Sequence, residues 1–498
     1  MLTTADIEGA KFAFPRAAEE ISDSQAAEMP RTTAERAAAT FVDHNRGMYG
    51  MPPGGVVTHQ FASLYYARLC ELRPVVEKAA CDRWGKEVLT RRVKTLDAEP
   101  GAPVLVVGTV YVEMKNKPDI MDEVTRDALE TMLNEDDGKP VEKYCGEGDS
   151  FVIEDESGRL AIKIPDELAG EMLITGAVVG AAGTVSEGGE LHVEGLVVPG
   201  LPPQPPIAQP PGVKAGDEPR YIALVSGLRV GSDAHDMVPL DMLQQHLTAQ
   251  IGCDVDHRMQ ANIVRLIIAG NATGAGNGAD AAGTGSNLLP AADKKLAQPD
   301  QKALSEHVRT LDQTLTAISA SIPVDLMPGA DDPCNYLLPQ QPFHPCMLPQ
   351  ASQLATLNLC TNPYCCDIDG VRVLGTAGQP LDDMQRCLPG DDRLKTLQRS
   401  LEFQHLAPTA PDTLGCYPFA NKEEDPFVVR QCPHIFFAGN QPRYESKLVE
   451  GADGQRVCSI MVPDFAKEHT CVLVNLDTLE CKPMTFAGLP AVDAMQQE

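Results

Sequence analysis

The sequence predicts a β plus α/β protein: a small five-stranded barrel, then an α/β sandwich whose strand ends have the form of a metal site without its ligands. Three observations carry this reading. Between residues 100 and 198, five short apolar runs are separated by Gly, Asp and Pro. Residues 199–211 hold seven prolines, which read as a stiff extended linker. From Pro219 onward strands and helices alternate, and the first strand, Tyr221 to Ser226, runs into Gly227-Leu-Arg229. Metal-dependent phosphodiesterases place Asp-x-His at such a turn.

In chain order, residues 1–57 are rich in Ala, Glu, Pro and Gly and read as a loosely ordered arm. Residues 58–99 form a helical segment. Phe61, Leu64, Tyr65, Leu69 and Leu72 recur at helical spacing, Pro74 breaks the run, and a second helix covers Val75 to Trp84. The barrel strands are Val104–Val112, Ser150–Glu154, Leu160–Ile164, Leu173–Val185 and Leu191–Val198. Five short strands over about 100 residues point to an OB-fold. A linker occupies 199–218 and the α/β region 219–498. There the expected order is strand Tyr221–Ser226, helix Leu240–Ile251, strand Ile263–Ala269, helix Lys302–Ser319 and strand Pro323–Met327. Later strands are Val371–Leu374, Ile435–Ala438, Ser459–Val462 and Thr470–Leu476. This alternation implies a largely parallel sheet with helices on its faces. Residues 272–300, Gly/Ala-rich at their start, read as a flexible insertion.

Charge and composition narrow the function. The 498 residues carry 41 basic and 70 acidic side chains, a net charge of −29, which repels nucleic-acid backbones and anionic lipid. The barrel is poorly equipped for single strands, with 21 acidic against 7 basic residues between Gly101 and Gly200 and only Tyr111, Tyr144 and Phe151 for stacking. Little direct nucleic-acid binding is expected. No apolar run approaches the roughly 20 residues that span a bilayer, and no signal peptide is recognisable. The fifteen cysteines form no Cys-x-x-Cys pair, so reduced buried thiols are expected rather than a zinc site. Neither a Gly-x-Ser-x-Gly elbow nor a P-loop is present.

In α/β sheets the chemistry sits at the carboxyl ends of strands. A two-metal phosphodiesterase needs Asp, Asn and His there to hold cations about 3.5–4 Å apart. Here Gly227 and Arg229 replace Asp and His at the first strand end. Asn271 stands in place of an Asp at the second. Ala330 and Asp331 occupy the Asn and His places at the third. Ala377 stands for a His at the fourth, and Asn440 and Pro442 replace the two His of the fifth. The expectation is no catalytic residue, no metal and no cofactor. A rebuilt acidic site from Asp331, Asp332, Asp382 and Asp383 is the rival reading, and His235, His246, His257, His344 and His434 are read as structural.

The same strand ends carry a family resemblance. Leu224–Gly231, Ser319–Gly329, Asn335–Pro342, His344–Met347, Thr361–Tyr364, Asp369–Thr376, Pro408–Phe419 and Val462–Phe465 resemble the small (B) subunits of eukaryotic DNA polymerase delta. The resemblance covers the chain from about His59. It implies an OB domain joined to an inactivated calcineurin-like phosphodiesterase domain. It further implies a nuclear, non-catalytic scaffold in DNA replication and repair. Such a scaffold holds the C-terminal cysteine-rich module of the catalytic chain together with the third subunit, which links to the sliding clamp. Archaeal members of the wider group keep the metals and are nucleases. Two alternatives remain open: an active metallophosphoesterase with a rearranged site, and an OB-fold module that binds single-stranded DNA.

Overall fold

The computed structural model describes residues 35–51, 60–117, 142–165, 167–168, 172–207, 218–232, 237–274, 301–418 and 424–486. Their strands are β1 (Phe41–Asp43), β2 (Arg92–Val93), β3 (Pro103–Glu113), β4 (Ser150–Glu154), β5 (Arg159–Lys163), β6 (Val178–Val185), β7 (Leu191–Val197), β8 (Tyr221–Val225) and β9 (Ile263–Ala269). These are followed by β10 (Val324–Met327), β11 (Leu357–Leu359), β12 (Tyr364–Ile368), β13 (Val371–Thr376), β14 (Ile435–Gln441), β15 (Glu445–Glu450), β16 (Arg456–Pro463), β17 (Thr470–Asn475) and β18 (Cys481–Thr485). The helices used below are α1 (Phe61–Trp84), α2 (Met237–Leu247), α3 (Gln301–Ser319), α4 (Gln379–Cys387), α5 (Arg393–Glu402) and α6 (Phe465–Glu468).

Strands β3 to β7 close a barrel in the order β3-β4-β5-β7-β6, with β6 returning to β3 and β5 parallel to β7. Closure leaves none of these five as a bare edge. Alternation explains the register: on β5, Leu160 and Ile162 face inward while Arg159, Ala161 and Lys163 face out. Strand β6 begins at Val178 rather than at Leu173, because Thr175 and Gly176 form a turn before it.

The α/β region is not one largely parallel sheet. It holds two mixed six-stranded sheets, β1-β12-β13-β14-β16-β15 and β11-β10-β9-β8-β17-β18. They pack face to face. Ile222, Leu224 and Ile267 of one sheet meet Val373, Ile435, Phe437 and Ile460 of the other in a single apolar cluster. The alternate residues Ala223, Val225, Leu266 and Ile268 face α2 and α3, which bring Leu243, Leu311 and Leu315. Periodicity finds β8, β9, β10, β13, β14, β16 and β17 but misses β1, β11, β12, β15 and β18, and it carries no information about which sheet a strand joins.

Three other expectations are corrected. The arm is ordered where it is described: β1 pairs antiparallel with β12, and Arg36 donates to the carbonyls of Leu247 and Ile263, both at 2.7 Å. A three-residue strand is too short for a periodic signal, and residues 1–34 and 52–59 lie outside the described residues. Helix α1 is continuous through Pro74. Proline removes one hydrogen bond there, but Leu64, Leu69, Leu72, Val76 and Ala80 keep one buried face on both sides of it. Linker residues 199–207 are pinned rather than free, with Cys432 N–H donating to the Pro203 carbonyl at 3.0 Å and Gln204 Nε2 to that of Pro433 at 2.9 Å.

The insertion also starts later than its composition implies. Ala272 and Thr273 are fully buried, and Val230 N–H donates to the Ala272 carbonyl at 3.0 Å. Residues 275–300 lie outside the described residues. Deleting 275–285 is expected to leave the melting temperature within about 2 °C, since loop closure entropy changes slowly with length. Extending the deletion back to Ala272 is expected to lower it markedly. Equal melting temperatures for the two deletions, measured by scanning calorimetry, would contradict this assignment.

The barrel lies directly against the sandwich. Its interior residues and Leu381, Met384, Leu397 and Leu401 of α4 and α5 belong to one continuous apolar core. Tyr144 N–H donates to the Arg386 carbonyl at 2.8 Å, and Lys117 pairs with Asp412 at 2.8 Å.

Candidate functional site

The carboxyl ends of β8, β9, β10, β13 and β14 converge. Gly227 N–H donates to the Gly270 carbonyl at 3.0 Å and Arg229 N–H to that of Asn271 at 3.0 Å. Asn440 Nδ2 donates to the carbonyls of Ala269 at 3.1 Å and Ala377 at 2.8 Å, which ties the fifth strand end to the second and fourth. Asp331 N–H donates to Asn271 Oδ1 at 3.0 Å and ties the third to the second. So the structure brings Gly227, Arg229, Asn271, Asp331, Ala377 and Asn440 together. Ala330 and Pro442 lie at the same strand ends but are exposed.

The backbone keeps an unusual shape there. Arg229, Asn271 and Asn440 have φ of 46°, 52° and 56°, in the left-handed region. Asparagine tolerates this conformation; arginine gains nothing local from it, so tertiary bonds must hold it. Gly227, at φ 65°, has no room for a side chain: a Cβ there would lie 2.5 Å from Asp464 Oδ1 and 2.9 Å from Asn440 Oδ1.

The Arg229 guanidinium is the charged centre of the site. Its Nε donates to Asp464 Oδ2 and its Nη1 to Asp331 Oδ2, both at 2.8 Å. Burial alone would depress this group, yet Asp464 and then Asp331 hold it above its ordinary value. It therefore stays cationic between two carboxylates. Asp464 also caps α6, accepting from Ala466 N–H at 3.2 Å. Sequence reasoning assigned Asp464 no role, although a carboxylate directly after a strand end is the kind of signal that marks one.

The other acidic residues are committed elsewhere. Asp332 is buried and accepts from the backbone N–H groups of Gly329 at 2.8 Å, Thr273 at 2.9 Å and Ala272 at 3.2 Å, and from the Thr273 hydroxyl at 3.0 Å. Burial raises its carboxyl, and these donors offset part of the rise. Asp382 pairs with Arg393, and Asp383 accepts from the Thr413 hydroxyl at 2.6 Å. Among the described residues, no group of three His, Cys, Asp or Glu side chains is arranged to hold a metal. His246 contacts Gln260 at 2.9 Å, His344 Nδ1 accepts from Cys346 N–H at 3.2 Å, and His434 Nδ1 accepts from Arg372 N–H at 2.9 Å. His235 lies outside the described residues.

A second polar centre, which periodicity gave no hint of, joins helix α1 to both the barrel and the sandwich. Arg68 is fully buried on the apolar face of α1. Its Nε donates to Asp425 Oδ2 at 2.9 Å, and its Nη atoms to the carbonyls of Gly176 at 3.1 Å, Pro408 at 2.9 Å and Ala410 at 2.9 Å. His405 Nε2 meets the same Asp425 oxygen at 2.9 Å, while its Nδ1 accepts from Ala407 N–H at 3.2 Å. Burial, with Arg68 nearby, lowers His405 to about 4. Below pH 6.5 an unfolded chain therefore takes up a proton that the folded chain refuses. This contribution is complete above pH 6.5 and is lost as pH falls toward 4, on the order of 2–3 kcal/mol. A stability profile from urea melts between pH 7.5 and 4.5 is expected to flatten in His405→Gln relative to the native chain.

Comparison with known proteins agrees with this architecture. Residues 60–196 match the family model for the DNA polymerase delta subunit OB-fold domain, and residues 222–447 that for the DNA polymerase alpha/epsilon B-subunit. The chain is 36% identical to the DNA polymerase delta small subunit of Arabidopsis thaliana over 431 residues, covering 86% of this chain and 91% of the relative. It is 35% identical to DNA polymerase delta subunit 2 of Drosophila melanogaster, covering 86% and 93%. Identity to the Saccharomyces cerevisiae small subunit is 32%, covering 85% and 88%. With an OB-fold barrel, a B-subunit α/β body and this extent of identity, the chain belongs to the DNA polymerase delta small-subunit family, the accessory subunits of that polymerase.

Proposed function

We propose that this accessory subunit is a non-catalytic scaffold built on a calcineurin-like phosphodiesterase body that has exchanged metal for an internal cation. The observation that carries the reading is the Arg229 guanidinium, held between Asp464 and Asp331 where the strand ends converge. A fixed positive charge there repels a divalent ion and gives the carboxylates a partner without one. Gly227 and Ala377 offer no ligand atom, and Asn271 and Asn440 spend their side chains on backbone groups. No group in this arrangement activates water against a phosphoester. The domain division that goes with this reading is a helical segment at 58–99, an OB-fold at 100–198 and the inactive body at 219–498.

The scaffold role assigns two partners. The body holds the cysteine-rich C-terminal module of the polymerase delta catalytic chain, and the third subunit docks alongside it, with an indirect link to the sliding clamp. The setting is nuclear DNA replication and repair. Among the described residues no helix is long and apolar enough to cross a membrane.

The test has two arms. Purified protein with Mn²⁺ is expected to leave bis(p-nitrophenyl) phosphate and single-stranded DNA intact; turnover that disappears in Asp331→Ala would overturn the non-catalytic reading. Co-expressed with the catalytic chain, the protein is expected to co-elute in size-exclusion chromatography only when the cysteine-rich module is present. Separate elution of the two full-length chains would overturn the partner assignment.

A further inference from the structure

The two sheets of the sandwich are joined at one margin by a pair of thiols. Cys458 lies in β16, next to the outermost strand of the first sheet, and Cys481 opens β18, the outermost strand of the second. Their sulfurs are 3.3 Å apart. Cys458 is 3% exposed, whereas Cys481 is half-buried. Around them, the Tyr444 and Ser446 hydroxyls hydrogen-bond each other at 2.7 Å. The two thiols share one hydrogen bond: its Cys458 partner, and then Ser446 and Tyr444, lower Cys481 from its ordinary value against the opposing effect of burial, while the same bond to Cys481, and then burial, raise Cys458. A sulfur on a partly exposed residue, poised toward the thiolate and in contact with the sulfur of a buried residue, is the arrangement of an attacking and a resolving cysteine.

We propose that Cys458 and Cys481 form a peroxide-responsive dithiol that closes to a disulfide between the two sheets. The Cys481 thiolate attacks one oxygen of hydrogen peroxide. The O–O bond breaks, Cys481 becomes a sulfenic acid, and the departing hydroxide takes up the proton that Cys481 gave up, forming water. The Cys458 sulfur then attacks the sulfenic sulfur, the S–O bond breaks, and the hydroxyl leaves with the Cys458 proton as a second water. Two thiols are oxidised by two electrons and one peroxide is reduced. A small dithiol reductant reverses the step by exchange. The bond would tie β18 to β16 across the inter-sheet core, whose apolar cluster includes Cys458 and is flanked by Cys481.

The experiment treats the full chain with graded hydrogen peroxide, caps free thiols and maps the peptides by mass spectrometry. Cys70, Cys253 and Cys346, which are exposed, serve as internal references. The 458–481 cross-link is expected at peroxide doses roughly tenfold below those that oxidise the references. It is expected to raise the melting temperature by roughly 5 °C and to reverse with dithiothreitol. Cys481→Ser, at a partly exposed position, is expected to keep the native circular dichroism spectrum and lose the cross-link. Cys458→Ser is expected to leave Cys481 as a sulfenic acid that dimedone traps. Oxidation of Cys481 no faster than Cys70, or its pairing with another cysteine in place of Cys458, would overturn the proposal.

Discussion

Replacing Arg68 with methionine is expected to lower the stability of the protein by about 3–5 kcal/mol, the usual cost of removing one partner of a buried ion pair. Asp425 would remain as a carboxylate with no solvent exposure, its partners reduced to the His405 ring and the Phe427 N–H. Three carbonyls, those of Gly176, Pro408 and Ala410, would lose their donors together. Cavity volume is not the cause, since methionine fills most of the same space; lost charge and hydrogen bonding are. The double replacement Arg68→Met with Asp425→Asn should recover part of the loss, because no isolated charge is then buried. Urea midpoints of the two variants and the native chain decide this. An Arg68→Met variant within about 1 kcal/mol of native stability would contradict the buried network.

Asp332→Ala should be nearly as costly. The carboxylate is the acceptor for three backbone N–H groups and one hydroxyl, on the two loops that follow β9 and β10. Truncation leaves those donors buried without partners, at about 1–3 kcal/mol for each that finds no water. The loss should exceed that of Asp331→Ala, whose side chain is about one-third exposed and makes one ion pair. The ranking is informative because the two residues are adjacent and chemically identical. Thermal melts that place Asp331→Ala below Asp332→Ala would refute it.

Much of this fold was legible from patterning. The alternation Leu160, Ile162 on β5 and the run of β9, apolar and buried except at Arg265, mark strands that are half-buried and almost fully buried respectively. What patterning missed depends on long-range bonds. Phe41–Asp43 is a strand because β12 offers it an edge and Arg36 anchors its approach, neither of which is local. Pro74 is tolerated inside α1 because the barrel supplies an apolar surface on both sides of it. At the strand ends, Gly227, Ala377 and Asn440 could be picked out position by position, and the structure brings them together. The partner of Arg229 could not, since Asp464 lies 235 residues away. Arg68 was equally hidden: an arginine on a helix reads as a solvent-facing charge unless its carbonyl acceptors are known.

The shared core of barrel and sandwich has a mechanical consequence. Apolar residues run without a break from Val106 and Ile153 inside the barrel to Leu397 and Met461 beneath α5. The linker between them is fastened along residues 199–207, and Arg68 bolts α1 across both. A joint packed in this way has no soft hinge, since bending it would expose the core and unpair buried charge. Any two macromolecules bound to such a bracket would be held at a set distance and angle, so a push on one would be felt by the other as rotation of a single rigid piece.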